Sequence, residues 1–129
     1  MPNVECYASQ LNQVFMNIIA NAIDVLEEQE IPGIITIKTE IHHYSEKGVD
    51  RDCVKISIYD NGRGIPDSVQ KRIFDPFFTT KPVGKGTGLG LSISHQIIVE
   101  KHQGELKCKS NPNGGTLFEI LIPVKANSR

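Results

Sequence analysis

The stretch that decides how this chain is read runs from residue 60 to residue 91. It opens with Asp60-Asn61-Gly62-Arg63-Gly64-Ile65-Pro66, continues through Phe74-Asp75-Pro76-Phe77-Phe78-Thr79-Thr80-Lys81, and closes with Gly84-Lys85-Gly86-Thr87-Gly88-Leu89-Gly90-Leu91. The first block follows a β-like segment, Val54 to Tyr59, and joins a carboxylate to glycines, which is turn chemistry that lets backbone approach a ligand closely. Asp60 is therefore a candidate base reader. The last block leads Gly84, Gly86, Gly88 and Gly90 into the helical pattern Leu89, Ile93, Gln96, Ile97, so that phosphate oxygens can meet free N–H groups at a helix N-terminus. Taken alone, a glycine-rich loop is an ordinary surface feature and Asp-Asn-Gly an ordinary turn between strands. A hairpin turn, however, needs neither the second glycine nor the Ile65-Pro66 that follows it. The spacing fits neither a P-loop nor the dinucleotide fingerprint of an early βαβ unit.

Toward the N-terminus, Asn3 to Tyr7 reads as a short extended entry, and Ser9 is placed to cap a helix running through Leu26. At about 100° per residue, Gln13, Asn17, Asn21 and Asp24 share one narrow stripe, with Phe15, Ile19, Ala22 and Leu26 opposite and Val14, Ile18 and Val25 flanking it. The apolar side is expected to pack on a sheet. A merely solvated polar face would favour Lys, Glu and Arg, whereas asparagine is a poor helix former retained for its hydrogen bonds or its oxygen. An amide oxygen is a hard ligand that suits Mg²⁺. After a break at Ile31-Pro32-Gly33, alternation through Ile35, Ile37, Thr39 and Ile41 predicts a strand with one buried face. A polar loop is expected from His42 to Asp52, with both histidines at the surface because no third metal ligand is spaced to join them. Cys53 to Tyr59 is the next strand, and it delivers Asp60.

Toward the C-terminus, Asp67 is placed to cap a short helix through Ile73. Phe74, Phe77 and Phe78 surround Pro76, which breaks helix and strand alike, so the aromatics sit on an irregular segment and must pack locally. Lys81 and Lys85 are candidate phosphate contacts as point charges, and each reads equally well as solvated surface. The glycines and the lack of apolar periodicity from Thr79 to Lys85 predict a mobile lid. From Leu89 to about Lys101 a helix presents Ile93, Ile97 and Ile98 to the sheet, with His95 and His102 among its polar positions. Gly104 to Lys109 and Gly115 to Val124 form a final hairpin around Asn111-Pro112-Asn113-Gly114.

With 129 residues, 39% hydrophobic and 22% charged, the chain fits one globular domain over residues 1–129. A net charge of −1 and a pI near 6.4 provide no basic field for nucleic acid or a membrane surface, which leaves small molecules and proteins as expected partners. Cys6, Cys53 and Cys108 are odd in number and widely spaced, so they read as small buried apolar residues of a reducing compartment rather than as a zinc site or a disulfide frame. No apolar run approaches a membrane span, and a cytoplasmic location is expected, tethered or not to a membrane sensor.

The Asn17-Ile18-Ile19-Ala20-Asn21-Ala22-Ile23-Asp24 run, the two glycine boxes and the phenylalanine box between them resemble the ATP-binding catalytic domain of sensor histidine kinases. That domain belongs to the wider set that includes DNA gyrase B, the MutL repair proteins and heat-shock chaperones. The resemblance implies an α/β two-layer sandwich, a mixed β-sheet covered on one face by helices, with ATP beneath a mobile lid. It implies Mg²⁺ held by Asn21, and Asn17 and Asn21 as the residues through which catalysis acts. It further implies that Asp60 accepts from the adenine amino group, with Gly62, Gly64, Ile65 and Thr116 around the base. Lys81, Gly84, Lys85, Gly86, Thr87, Gly88, Leu89 and Gly90 are then placed at the phosphates.

Two departures bear on chemistry. The ATP-hydrolysing relatives carry a glutamate where this chain has Asn17, so water activation is expected to be poor. Asp24 stands where many members carry a lysine, and keeps an outer-shell or helix-orienting role. Neither His95-Gln96 nor His102-Gln103 matches the phosphoacceptor context, and the family's further N-terminal strand is not evident, so the chain reads as an excised fragment or a minimal domain. The implied partners are a separate dimerisation domain bearing the substrate histidine and, through it, a response regulator. Two rivals stay open: a protein-serine kinase of the anti-sigma type, which the Phe74 to Lys81 segment argues against, and a nucleotide-sensing module without transfer.

Overall fold

One sheet has four strands, β1 (Ile35–Glu46), β2 (Val49–Asp60), β3 (Glu105–Ser110) and β4 (Thr116–Pro123), with alternating β-branched residues in the first half of β1 and the second half of β2. The computed structural model describes residues 6–46, 48–76, 90–110 and 114–124. The strand order is β1-β2-β4-β3, and every neighbouring pair is antiparallel. The two-layer α/β sandwich is as expected, but the described strands are not mixed. A helical crossover returns the chain so that β3 runs parallel to β2, and the β3–β4 hairpin then places β4 between them.

The expected loop from His42 to Asp52 is instead the far half of a long hairpin. Its register runs from Ile35 opposite Asp60 to Glu46 opposite Val49, and Gly48 takes φ +80° at the turn. Polar residues there hid the strand because no apolar alternation marks it. His43 Nδ1 lies 2.5 Å from its cross-strand partner Asp52. The buried face expected for β1 is also incomplete: Ile37 is 55% exposed and Ile41 46%. As the edge strand, β1 runs out from under the helical layer.

The helical layer comprises α1 (Ala8–Leu26), α2 (Asp67–Gln70) and α3 (Gly90–Gln96), which continues into a π-helical turn, Ile97–Lys101. Tyr7, not Ser9, is the residue before α1, and no side chain caps that end. Tyr7 N–H instead donates to His102 Nε2 at 3.0 Å, while His102 Nδ1 stands 3.1 Å from the Ile97 carbonyl. That carbonyl can only accept, so the imidazole is neutral with its proton on Nδ1. His102 is thus fully buried rather than at a polar helix position. Similarly, Asp67 lies in the first turn of α2, with Pro66 preceding it.

The buried residues of α1 are Leu11, Val14, Ile18 and Ala22, at helical spacing. The helix is therefore turned from the expected orientation, with the Val14–Ile18 flank innermost. It packs on α3 and the π turn as well as on β2, so the line between these surfaces is its most enclosed. The core joins Leu11, Val14 and Ile18 to Ile97 and Ile98, to Ile58 of β2, to Ile73, and to Leu106, Phe118, Ile120 and Ile122 of the last hairpin. Each such side chain contributes about 1.5 to 3 kcal/mol by burial. Of the cysteines, Cys53 is buried, Cys108 intermediate and Cys6 exposed, so the expectation of three buried thiols fails at Cys6.

Candidate nucleotide site

Asp60, Thr116 and Ser110 form one cross-strand row at the end of β2, β4 and β3, on the face the helices cover. Asp60 and Thr116 are 6% and 5% exposed. Burial pushes the Asp60 carboxyl above its ordinary value, and an N–H from Gly62, 2.9 Å from Oδ1, partly opposes the shift. Among the described residues Gly62 is the one hydrogen-bond partner of this side chain. A carboxylate so placed keeps most of its acceptor capacity for a donor arriving from outside the sheet.

Gly62 is buried against α1: a Cβ there would stand 2.8 Å from Val25 Cγ1 and 2.9 Å from Asp60 Oδ1. Only glycine fits this approach. Gly64 takes φ +80°, and Ile65 N–H donates to Ser110 Oγ at 2.6 Å. Gln70 Nε2 bridges the carbonyls of Ile65 and Ser110 at 2.9 and 3.0 Å. Asn61 holds the other side of the loop, accepting from Ile34 N–H at 2.7 Å and donating to the Pro32 carbonyl at 3.1 Å. Ser110, Gln70 and Asn61 were not among the expected site residues. Their signal lies in register and side-chain reach between distant segments, and a local motif contains neither.

Asn17 and Asn21 lie half-buried on α1, one turn apart. The Asn17 amide donates to the Gly90 carbonyl at 3.1 Å and lies 3.2 Å from Ser94 Oγ, which itself donates to Gly90 at 2.8 Å. It therefore ties α1 to the first turn of α3. The Asn21 amide has no hydrogen-bond partner among the described residues, so its oxygen is available as a hard ligand. No group of three or more His, Cys, Asp or Glu side chains able to hold a metal occurs among the described residues.

Phe74 packs inward, its ring 4.9 Å from that of His95 and edge-on to Phe118 at 6.5 Å. Lys81, Gly84, Lys85, Gly86, Thr87, Gly88 and Leu89, with the expected lid and Phe77 and Phe78, lie outside the described residues.

Residues 6–126 match the family described as "Histidine kinase-, DNA gyrase B-, and HSP90-like ATPase". The chain belongs to this family. Within it the resemblance is to the histidine kinase branch, and the chain is similar to an ATP-binding catalytic domain of that kind. The solved catalytic domain of histidine kinase ThkA is 35% identical with a TM-score of 0.77, over 98% of this chain and 74% of that one. Sporulation kinase E of Bacillus subtilis (strain 168) is 41% identical over 99% of this chain. The signal transduction histidine-protein kinase AtoS of Escherichia coli (strain K12) is 43% identical over 88% of it. This chain spans only 16% and 17% of those two proteins.

Proposed function

We propose that residues 1–129 act as one catalytic domain that binds Mg·ATP and passes the γ-phosphoryl group to a histidine on a separate dimerisation domain. The observation that carries this reading is the buried acceptor pair Asp60 and Thr116 beside Gly62, facing α1 with its asparagines. Asp60 accepts from the adenine amino group, and the side-chain-free Gly62 leaves the base edge reachable. Asn21 supplies an amide oxygen to Mg²⁺, which neutralises charge on the phosphate oxygens when bound. Asn17 cannot take a proton from water at neutral pH, and its amide is engaged with Gly90, so this side chain fixes α1 against α3 rather than serving as a base. The chain's contribution is positioning and electrostatics, and the nucleophile comes from the partner. Of the expected phosphate contacts, Lys81 and Lys85 provide positive charge and Gly84 to Gly90 provide backbone N–H groups.

A response regulator then takes the phosphoryl group from the histidine, in a cytoplasmic setting. No helix among the described residues is long and apolar enough to cross a membrane. The test mixes this chain, Mg·ATP and the dimerisation domain of the full-length protein. Acid-labile, alkali-stable phosphate on that domain, lost in Asn21→Ala, is the expected result. Alkali-labile phosphoserine, or nucleotide binding without transfer, overturns it.

A further inference from the structure

Ser110 is the hub of the base-reading row, and its bonding fixes more than loop geometry. Its Oγ accepts from Ile65 N–H at 2.6 Å, lies 3.0 Å from the Gly115 carbonyl, and lies 3.1 Å from Thr116 Oγ1. A serine hydroxyl has one proton and two lone pairs. The Ile65 amide occupies one lone pair. The Gly115 carbonyl can only accept, so it takes the proton, since otherwise two oxygens would face each other at 3.0 Å with nothing between them. Thr116 must then donate its own proton into the remaining lone pair of Ser110. Nothing is left for Thr116 to donate, and its hydroxyl offers only lone pairs to a third group.

Gly115 holds its carbonyl in place for this arrangement. Its φ of +89° and the approach of Tyr59 Oη, 2.5 Å from a would-be Cβ, restrict the position to glycine. Gln70 pins the other end by bridging the Ile65 and Ser110 carbonyls. The hydroxyl orientation at Thr116 is therefore set by this network of described residues, and Thr116 stands in register with Asp60 on the same face.

We infer that Ser110 is a specificity-determining positioning residue: by taking the Thr116 proton it makes the Asp60–Thr116 edge acceptor-only, which selects a purine bearing an amino group over one bearing a carbonyl at that position. The inference rests on the proposed reading of Asp60 and Thr116 as the base site. An amino group supplies two donors to such an edge. A keto oxygen would face only lone pairs, and a site whose polar groups are left unpaired rejects its ligand strongly.

The test is calorimetric titration of this chain with ATP, inosine triphosphate and inorganic tripolyphosphate. The unmodified chain is expected to prefer ATP over inosine triphosphate by at least about tenfold. In Ser110→Ala the Thr116 hydroxyl can turn and donate, and that preference is expected to fall by about five- to tenfold. Tripolyphosphate affinity should not change. Thr116→Val removes the oriented hydroxyl and should lower the preference similarly, and the double variant should lower it no further than either change alone. A wild-type ratio in folded Ser110→Ala overturns the inference, as does additivity in the double variant. Should Ser110→Ala fail to fold, a wild-type ratio in Thr116→Val does the same. Equal binding of both triphosphates by the unmodified chain instead sinks the base-site reading, and this inference falls with it.

Discussion

At the residue scale, Asp60 sets function against stability. Its folded carboxyl lies above the ordinary value of 3.8, so the native state holds this proton more tightly than the unfolded chain. Its contribution favours folding at low pH and is lost as pH rises through the raised folded value. Above that window the ionised carboxylate opposes folding. Asp60→Asn keeps an oxygen for the Gly62 N–H but presents a donor where the proposed base site accepts one. The expected outcome by calorimetry and thermal melting is a loss of about 1 to 3 kcal/mol in ATP affinity, with a melting temperature unchanged or higher at neutral pH. The thiols separate just as clearly. Burial, with the charge of Asp60 adding to it, pushes Cys108 up to about 12, whereas Cys6 is exposed. Brief alkylation at neutral pH, read by mass spectrometry, should label Cys6 on the native chain and leave Cys108 until the protein is denatured.

At the element scale, one amide adds a polar tie to the packed join between α1 and α3. Asn17 reaches Gly90 and Ser94 across 73 and 77 residues of chain. Removing it in Asn17→Ala leaves the Gly90 carbonyl with Ser94 as its one remaining side-chain donor, a cost of about 1 kcal/mol in urea unfolding. Nucleotide affinity should fall as well, because Gly90 begins α3, where the proposed phosphate contacts end. An Ala variant with wild-type stability and affinity would show that the two helices need no such tie. The opposite end of the same pair is fastened by His102, which couples the entry to α1 to the π turn through Tyr7. That is why a histidine readable as a polar helix residue ends fully buried: both ring nitrogens have partners, and the burial is offset by hydrogen bonds.

At the scale of the whole molecule, the open face of the sheet carries a charge ladder across its strands. Glu119 Oε2 lies 3.2 Å from Lys55 Nζ and its Oε1 3.2 Å from Lys109 Nζ, while Lys55 also reaches Glu40 at 3.9 Å. Burial acts to raise the Glu119 carboxyl, but Lys109 and Lys55 outweigh it and hold the group below its ordinary value of 4.5. A lowered folded value contributes stability above the ordinary value and loses it as pH falls through the folded one. Glu119→Gln should therefore cost about 1 kcal/mol at neutral pH, discounted for the exposed lysines. The deficit should vanish in acid, and pH-dependent melting curves of the two chains that stay parallel would contradict the ladder's role. By itself the sequence determined the order of the asparagine, glycine and phenylalanine boxes, and with it the family and the layered α/β fold. Such features are local, because a glycine or an asparagine at a given spacing declares its chemistry to any reader of the chain. Tertiary structure alone decided the turn of α1 about its axis, the extension of the β1–β2 hairpin through polar residues, the burial of His102, and the hub at Ser110. Each of these depends on which distant surface a side chain meets. Strand register places Ser110 beside Thr116 and Thr116 beside Asp60, and register is a property of paired strands that neither strand carries alone.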